Sequence, residues 1–295
     1  MPKENYRNPA EYYASHSLIT DPKEYRHLLA DIPSSVSEMV EILQGLFLHI
    51  FWAERYGVTP TPQQREHVQA RSVRNILEAI DNIDPAPLTE PRPLEKRFFG
   101  NCRDHSVLLC AMLRAQGIPA RVRCGFATYF IPNHFEDHWI CEYWDGQSDR
   151  WILVDPQLDT LQKQVLGISF DTLDMPQGQF ITGAEAWKLA RSGQEDPEKF
   201  GIFDMKGLWF IRGNLIRDLA SLNKVELLPW DIWGLIEGQE RELTEEDYTL
   251  LDEVAELIIG HDPKLYEVYQ ENPALKVPDV ITSWTDNGPK PVTLE

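Results

Sequence analysis

The chain has 295 residues, 42% hydrophobic and 25% charged, which supplies one large core or two modest ones and excludes large-scale disorder. Its net charge of −19, with no compensating basic stripe, excludes a nucleic-acid partner. The opening residues Met1-Pro2-Lys3-Glu4-Asn5-Tyr6 have no apolar h-region and no apolar run reaches membrane-span length, so the expectation is a cytoplasmic protein with no membrane partner.

Residues 1–33 read as a polar arm with one or two short helices. Pro33-Ser34-Ser35 then opens an apolar helix, Val36 to Tyr56, with Val40, Leu43, Phe47, Ile50 and Phe51 recurring at three and four. The hinge Thr59-Pro60-Thr61-Pro62 leads to a second helix over Gln63 to Asp81, with Val68, Val73, Ile76, Leu77 and Ile80 on its inner side. Four prolines between Asp84 and Pro93 predict an extended surface connection. It delivers the chain to Gly100-Asn101-Cys102-Arg103-Asp104-His105.

There a helix begins. Asn101 is a good N-cap, and Val107, Leu108, Met112 and Leu113 keep helical spacing until Gln116-Gly117 and Pro119. Cys102 therefore sits in the first turn, where the backbone N–H groups and the helix dipole favour a thiolate and offer donors to an oxyanion. Strand character follows in Ala120 to Ile131, His138 to Trp144 and Trp151 to Asp155, the last two joined by the turn-rich Asp145 to Asp149. Helices are predicted near Ala184–Arg191, Gly207–Leu222 and Thr244–Ile259, with a trailing extension from Asn272. Val225 to Glu295 holds 17 Asp/Glu against 4 Lys/Arg, a local charge of −13. We read it as a solvated face, with steering of a cationic substrate as the alternative. The resulting class is α+β, divided into a mainly helical region 1–93, a core 94–180 and a helical, acidic region 181–295.

A thiol nucleophile needs a base, and the base an orienting group. By the two-residue strand period His138, Ile140, Glu142 and Trp144 share a face, as do Trp151, Leu153 and Asp155. If Trp144 pairs with Trp151, Ile140 lies opposite Asp155 and His138 is its diagonal neighbour; a one-residue slip separates them. His105 and His134 are the competing bases, His105 being better suited to a structural hydrogen bond. Glu136 and Asp137 precede His138, and Asp137 points to the other strand face. Cys110, Cys124 and Cys141 read as reduced core thiols; without a CxxC pair a four-cysteine metal site is not expected, nor any cofactor. Trp139, Tyr143, Trp144, Trp209, Trp230 and Trp233 are core candidates, an apolar tunnel being the alternative.

Gly100-Asn101-Cys102-Arg103-Asp104, Leu113 to Arg121, Asp137-His138-Trp139 and Trp151 to Pro156 together resemble the transglutaminase-like superfamily over residues 95–160. The resemblance implies a papain-like core, the cysteine helix packed on an antiparallel sheet, with Cys102 as nucleophile, His138 as general base and acid, and Asp155 as orienting carboxylate. It also implies a side-chain oxyanion donor upstream of the cysteine, for which Trp52, Gln63, Gln64 and Arg97 are the candidates. The expected activity is cleavage or transfer of an acyl group from a peptide, protein or small amide through a thioester. A non-catalytic binding module on the same fold and a carrier-dependent amide synthase are the alternatives.

Overall fold

A computed structural model describes residues 9–238, 241–285 and 287–294. The described residues of Asn8–Val122 and Ile140–Met175 pack as one compact unit, and those of Arg123–Trp139 and Pro176–Glu295 as another.

The first unit holds helices α1 (Pro9–Ala14), α2 (Val36–Leu46), α3 (Pro62–Arg65), α4 (Val73–Ile83), α5 (Cys102–Ala115) and α6 (Thr160–Leu166). Its strands are β1 (Phe47–His49), β2 (Phe98–Gly100), β3 (Ala120–Ala127), β4 (Phe135–Asp145) and β5 (Arg150–Val154), of which β3 and β4 also contribute residues to the second unit.

The expected single helix from Val36 to Tyr56 is wrong. Ser35 caps α2, but Phe47 leaves the helical region at φ −112°, ψ 154°. Phe47, Leu48 and His49 then pair in parallel with Phe98, Phe99 and Gly100. Apolar residues that recur at helical spacing also fit a strand buried on both faces, and here all three are buried. A 3-10 turn over Ile50–Tyr56 follows.

The second expected helix, Gln63 to Asp81, is likewise split. Ser72 accepts the Asn75 N–H and starts α4 afresh. The carbonyls of Ala70 and Arg71, released from helix pairing, accept hydrogen bonds from the buried Arg103 guanidinium. The Pro-rich connection is irregular, as expected, but wraps around a buried side chain: Arg92, 4% exposed, donates to the carbonyls of Asp84, Ala86, Pro87 and Glu90.

α5 is the spine of this unit, with every residue from Val107 to Leu113 fully buried. It stops where Gly117 turns left-handed (φ 72°) and Ile118 N–H bonds back to Leu113 O. β4 and β5 form an antiparallel hairpin in which Trp144 faces Trp151 and Cys141 faces Val154, the register the sequence argument required. The Arg121 guanidinium stacks 4.1 Å from the Trp151 ring centroid and pairs with Glu142 at 2.5 Å, pinning β3 to the hairpin.

The second unit holds β6 (Phe180–Thr182), β7 (Phe200–Ile202), β8 (Met205–Lys206), β9 (Asp231–Ile232), β10 (Val280–Thr285) and β11 (Gly288–Thr293). Its helices are α7 (Gly183–Arg191), α8 (Leu208–Leu222), α9 (Glu245–Ile259) and α10 (Lys264–Glu271). β6 pairs antiparallel with β3, and β7 parallel with β4. The sheets are thus mixed rather than antiparallel throughout; the α+β class stands. The expected trailing extension from Asn272 is instead a hairpin, β10 and β11, in which Ser283 of β10 pairs with Asp231 of β9. Pro289 and Pro291 lie on β11, an edge strand where the missing N–H groups cost no ladder bond. Among the described residues no helix is long and apolar enough to cross a membrane.

α8 is buried from Phe210 to Leu222 and carries Asp218, whose carboxylate receives Arg123 at 2.9 and 2.8 Å and the Cys124 N–H at 3.0 Å. α7 crosses it at a point of backbone contact. A Cβ on Gly183 would lie 2.5 Å from the Asn214 carbonyl carbon. Gly183→Ala is therefore expected to destabilise the protein by about 1–3 kcal/mol through overpacking, despite alanine's better helix propensity. Urea unfolding measures it; an unchanged or raised midpoint would show that the helices separate without cost.

Candidate active site

Cys102 is the first residue of α5, 8% exposed. Its surroundings follow from a capping box. Asn101 Oδ1 accepts the Asp104 N–H at 3.1 Å, and Asp104 Oδ2 accepts the Asn101 N–H at 3.0 Å. Both residues are thereby used locally, which fixes the direction of the helix start and leaves its positive dipole end at the thiol. Asp104 is fully buried, and burial pushes its carboxyl up to about 6 against the opposing pull of Arg103 and the Asn101 N–H. The Arg103 guanidinium, itself 0% exposed, lies 3.0 Å from Asp104.

The β1–β2 pair brings a second group to this end of the helix. His49 is the register partner of Gly100, two residues before the cysteine. It is 7% exposed, and its Nδ1 accepts the Phe51 N–H at 3.3 Å. A neutral imidazole that accepts at Nδ1 carries its proton on Nε2. His105 has the opposite arrangement: its Nδ1–H donates to the Asn101 carbonyl at 2.8 Å, the structural hydrogen bond expected of it. The two imidazoles are stacked with centroids 6.3 Å apart, and Phe47 packs on His105 at 4.9 Å. His49 escaped the sequence reading because Phe47 to Phe51 was assigned to a helix. The apolar and aromatic run on either side of a lone histidine was the available strand signal.

Of the other two residues of the expected triad, His138 lies on a strand of the hairpin and Asp155 comes just after the other strand. His138 is on β4, 2% exposed, with the rings of Phe130 and Tyr129 at 5.0 and 6.0 Å in T-shaped contact. Asp155 follows β5 and is fully buried. Its Oδ1 accepts the Gln157 N–H at 3.0 Å, and its own N–H donates to Thr172 O at 2.9 Å. The pairing of β4 with β5 runs up to Cys141 and Val154, three residues after His138 on β4 and one residue before Asp155. Gln157 is tied to Gln162 at 3.0 Å, and Asp159 takes the Tyr56 hydroxyl at 2.5 Å, so a buried polar chain underlies the Asp155 turn.

The competing residues have other partners. His134 Nε2 donates to Gly201 O at 3.3 Å and lies 3.1 Å from Glu136 Oε2 without hydrogen-bond alignment. Burial, with the neighbouring Asp137 charge, pushes Glu136 up to about 7. Asp137 accepts from Asn214 Nδ2 at 2.7 Å on α8, and burial raises its carboxyl. Cys110, Cys124 and Cys141 are buried and free of disulfides; burial and the Cys110 thiol raise Cys141 well above the usual thiol range. Trp139 and Trp233 are core, 1% and 4% exposed.

Two of the four oxyanion-donor candidates are committed elsewhere. Gln64 completes the α3 capping box and donates to Glu95 O. Arg97 donates to Arg92 O and Gln44 O. Gln63 is exposed. Trp52 is half-buried beneath Arg55, 5.4 Å from its ring centroid. Among the described residues no group of three or more His, Cys, Asp or Glu is placed to hold a metal ion.

No characterised protein and no solved structure matches the chain in sequence or fold comparison. A family comparison does: residues 57–156, from the left-handed Gly57 that closes the 3-10 turn to the proline after Asp155, match the transglutaminase-like superfamily. The match spans Cys102, His138 and Asp155 and begins after His49. Over residues 57–156, about a third of its length, the chain is similar to the transglutaminase-like superfamily.

Proposed function

We propose that the protein is a thiol enzyme that cleaves or transfers an acyl group from an amide through a thioester on Cys102. The observation that carries this reading is the capped start of α5, with Cys102 as its first residue, inside a segment of the transglutaminase-like superfamily. In the proposed papain-like arrangement His138 takes the thiol proton and returns it to the leaving amine, and Asp155 holds the imidazole in the tautomer that does so. The thiolate attacks the carbonyl carbon, the carbonyl π electrons move onto oxygen, and collapse of the tetrahedral intermediate breaks the C–N bond. Water or an amine then attacks the thioester and regenerates the thiol. Which acceptor wins depends on access of water to the thioester.

The test is iodoacetamide labelling near neutral pH followed by peptide mapping. Cys102 is expected to alkylate faster than a free model thiol, while Cys110, Cys124 and Cys141, buried in apolar surroundings, stay unlabelled. Labelling of Cys102 no faster than the model thiol would remove the activated nucleophile on which the proposal rests.

A further inference from the structure

We propose that His49 is a catalytic residue of this site: its Nε2–H is the side-chain donor for the oxyanion formed when the Cys102 thiolate attacks a carbonyl. The proposal rests on the reading of Cys102 as nucleophile. Acyl transfer builds a negative oxygen beside the attacking sulfur, and donors already aimed at that point are among the largest contributions to such reactions. The start of a helix supplies backbone N–H groups. A second donor must come from an element adjoining the residues just before the cysteine, and must carry a proton that it can donate.

His49 meets both requirements. Its Cα is the register partner of Gly100 in the parallel β1–β2 pair, so it stands beside the turn that leads into Cys102. Its Nδ1 is occupied as an acceptor by the Phe51 N–H, which places the ring proton on Nε2. The ring is held by packing on Phe51, with centroids 5.5 Å apart, and on His105 at 6.3 Å. His105 cannot take the role in the same way, because its Nδ1–H is spent on the Asn101 carbonyl and its neutral form offers only an acceptor at Nε2. In the step itself the new bond is Sγ–C and the broken bond is the carbonyl π bond, whose electron pair goes to oxygen. His49 donates a hydrogen bond to that oxygen and keeps its proton.

The test compares two reactions of the same sulfur. Acetylation by p-nitrophenyl acetate passes through an oxyanion; alkylation by iodoacetamide is displacement at a methylene and does not. In the full chain, His49→Ala is expected to slow nitrophenolate release and acetyl-Cys102 formation by about 10²-fold, the usual effect of deleting one oxyanion donor, with Cys102 alkylation within about threefold of wild type. His49→Gln, whose amide nitrogen can take the place of Nε2, is expected to recover at least part of the loss. Unchanged acetylation in His49→Ala overturns the assignment, and so does a parallel fall in both reactions, which would make His49 a determinant of the fold or of the thiolate. Wild-type protein that acquires no acetyl group on Cys102 overturns this assignment and the proposed function together.

Discussion

Cys102→Ala is expected to lower the proposed acyl transfer by a factor on the order of 10⁴ or more, because the proposed reaction then has no nucleophile and only solvent attack remains. The substitution should leave the fold intact. The capping box runs between Asn101 and Asp104 and does not use the thiol, and alanine is a better helix former than cysteine. His138→Ala is expected to approach the same floor, since a thiol without its base is mostly protonated at neutral pH. Asp155→Asn should fall less far, about 10²- to 10⁴-fold, through loss of the imidazole's orientation. The double variant Cys102→Ala/His138→Ala should be no worse than Cys102→Ala alone, because groups that act as one unit do not add. Nitrophenolate release and acetyl-peptide mass report all four proteins. A Cys102→Ala protein that kept a tenth of wild-type activity would end the reading of Cys102 as nucleophile.

The residues that were legible in the sequence are those whose local chemistry decides their conformation alone. Asn101 before an apolar helix, the Asp145–Asp149 turn between Trp144 and Trp151, and Gly117 at a helix end each specify structure within a few residues. The structure follows them, including the hairpin register. What was not legible depended on a distant partner. Phe47 to His49 form a strand only because Phe98 to Gly100, some fifty residues later, offer a ladder. The break before α4 is held by Arg103, whose guanidinium collects the carbonyls that a continuous helix would have consumed. The same long-range pairing brings His49 to the cysteine turn, and none of Trp52, Gln63, Gln64 and Arg97 lies on that strand. β11 was missed for a related reason: a proline-containing edge strand has almost no signal of its own and is defined by the strand it lies on.

Arg103 is also where the largest loss of stability is expected. It and Asp104 are both 0% exposed, joined at 3.0 Å, and the guanidinium also binds the carbonyls of Ala70 and Arg71. Arg103→Ala removes one member of a buried ion pair and leaves an uncompensated carboxylate together with two unmatched carbonyls, at an expected cost of about 3–5 kcal/mol. The pH dependence separates this cause from loss of packing. In the wild-type protein the folded Asp104 carboxyl titrates at about 6, above its ordinary value of 3.8. The folded state therefore binds more protons than the unfolded state across that window, and Asp104 contributes stability that is present below the lower value and lost as pH rises through the upper one. The Arg103 charge is the main influence opposing the effect of burial, so its removal raises the folded value further and extends the window upward. The deficit of Arg103→Ala relative to wild type should accordingly grow from pH 5 to pH 8. Urea unfolding of both proteins at several pH values measures it. A deficit of the same size at every pH would assign the loss to packing and the two carbonyls, and would mean that the buried charge on Asp104 does not depend on its partner.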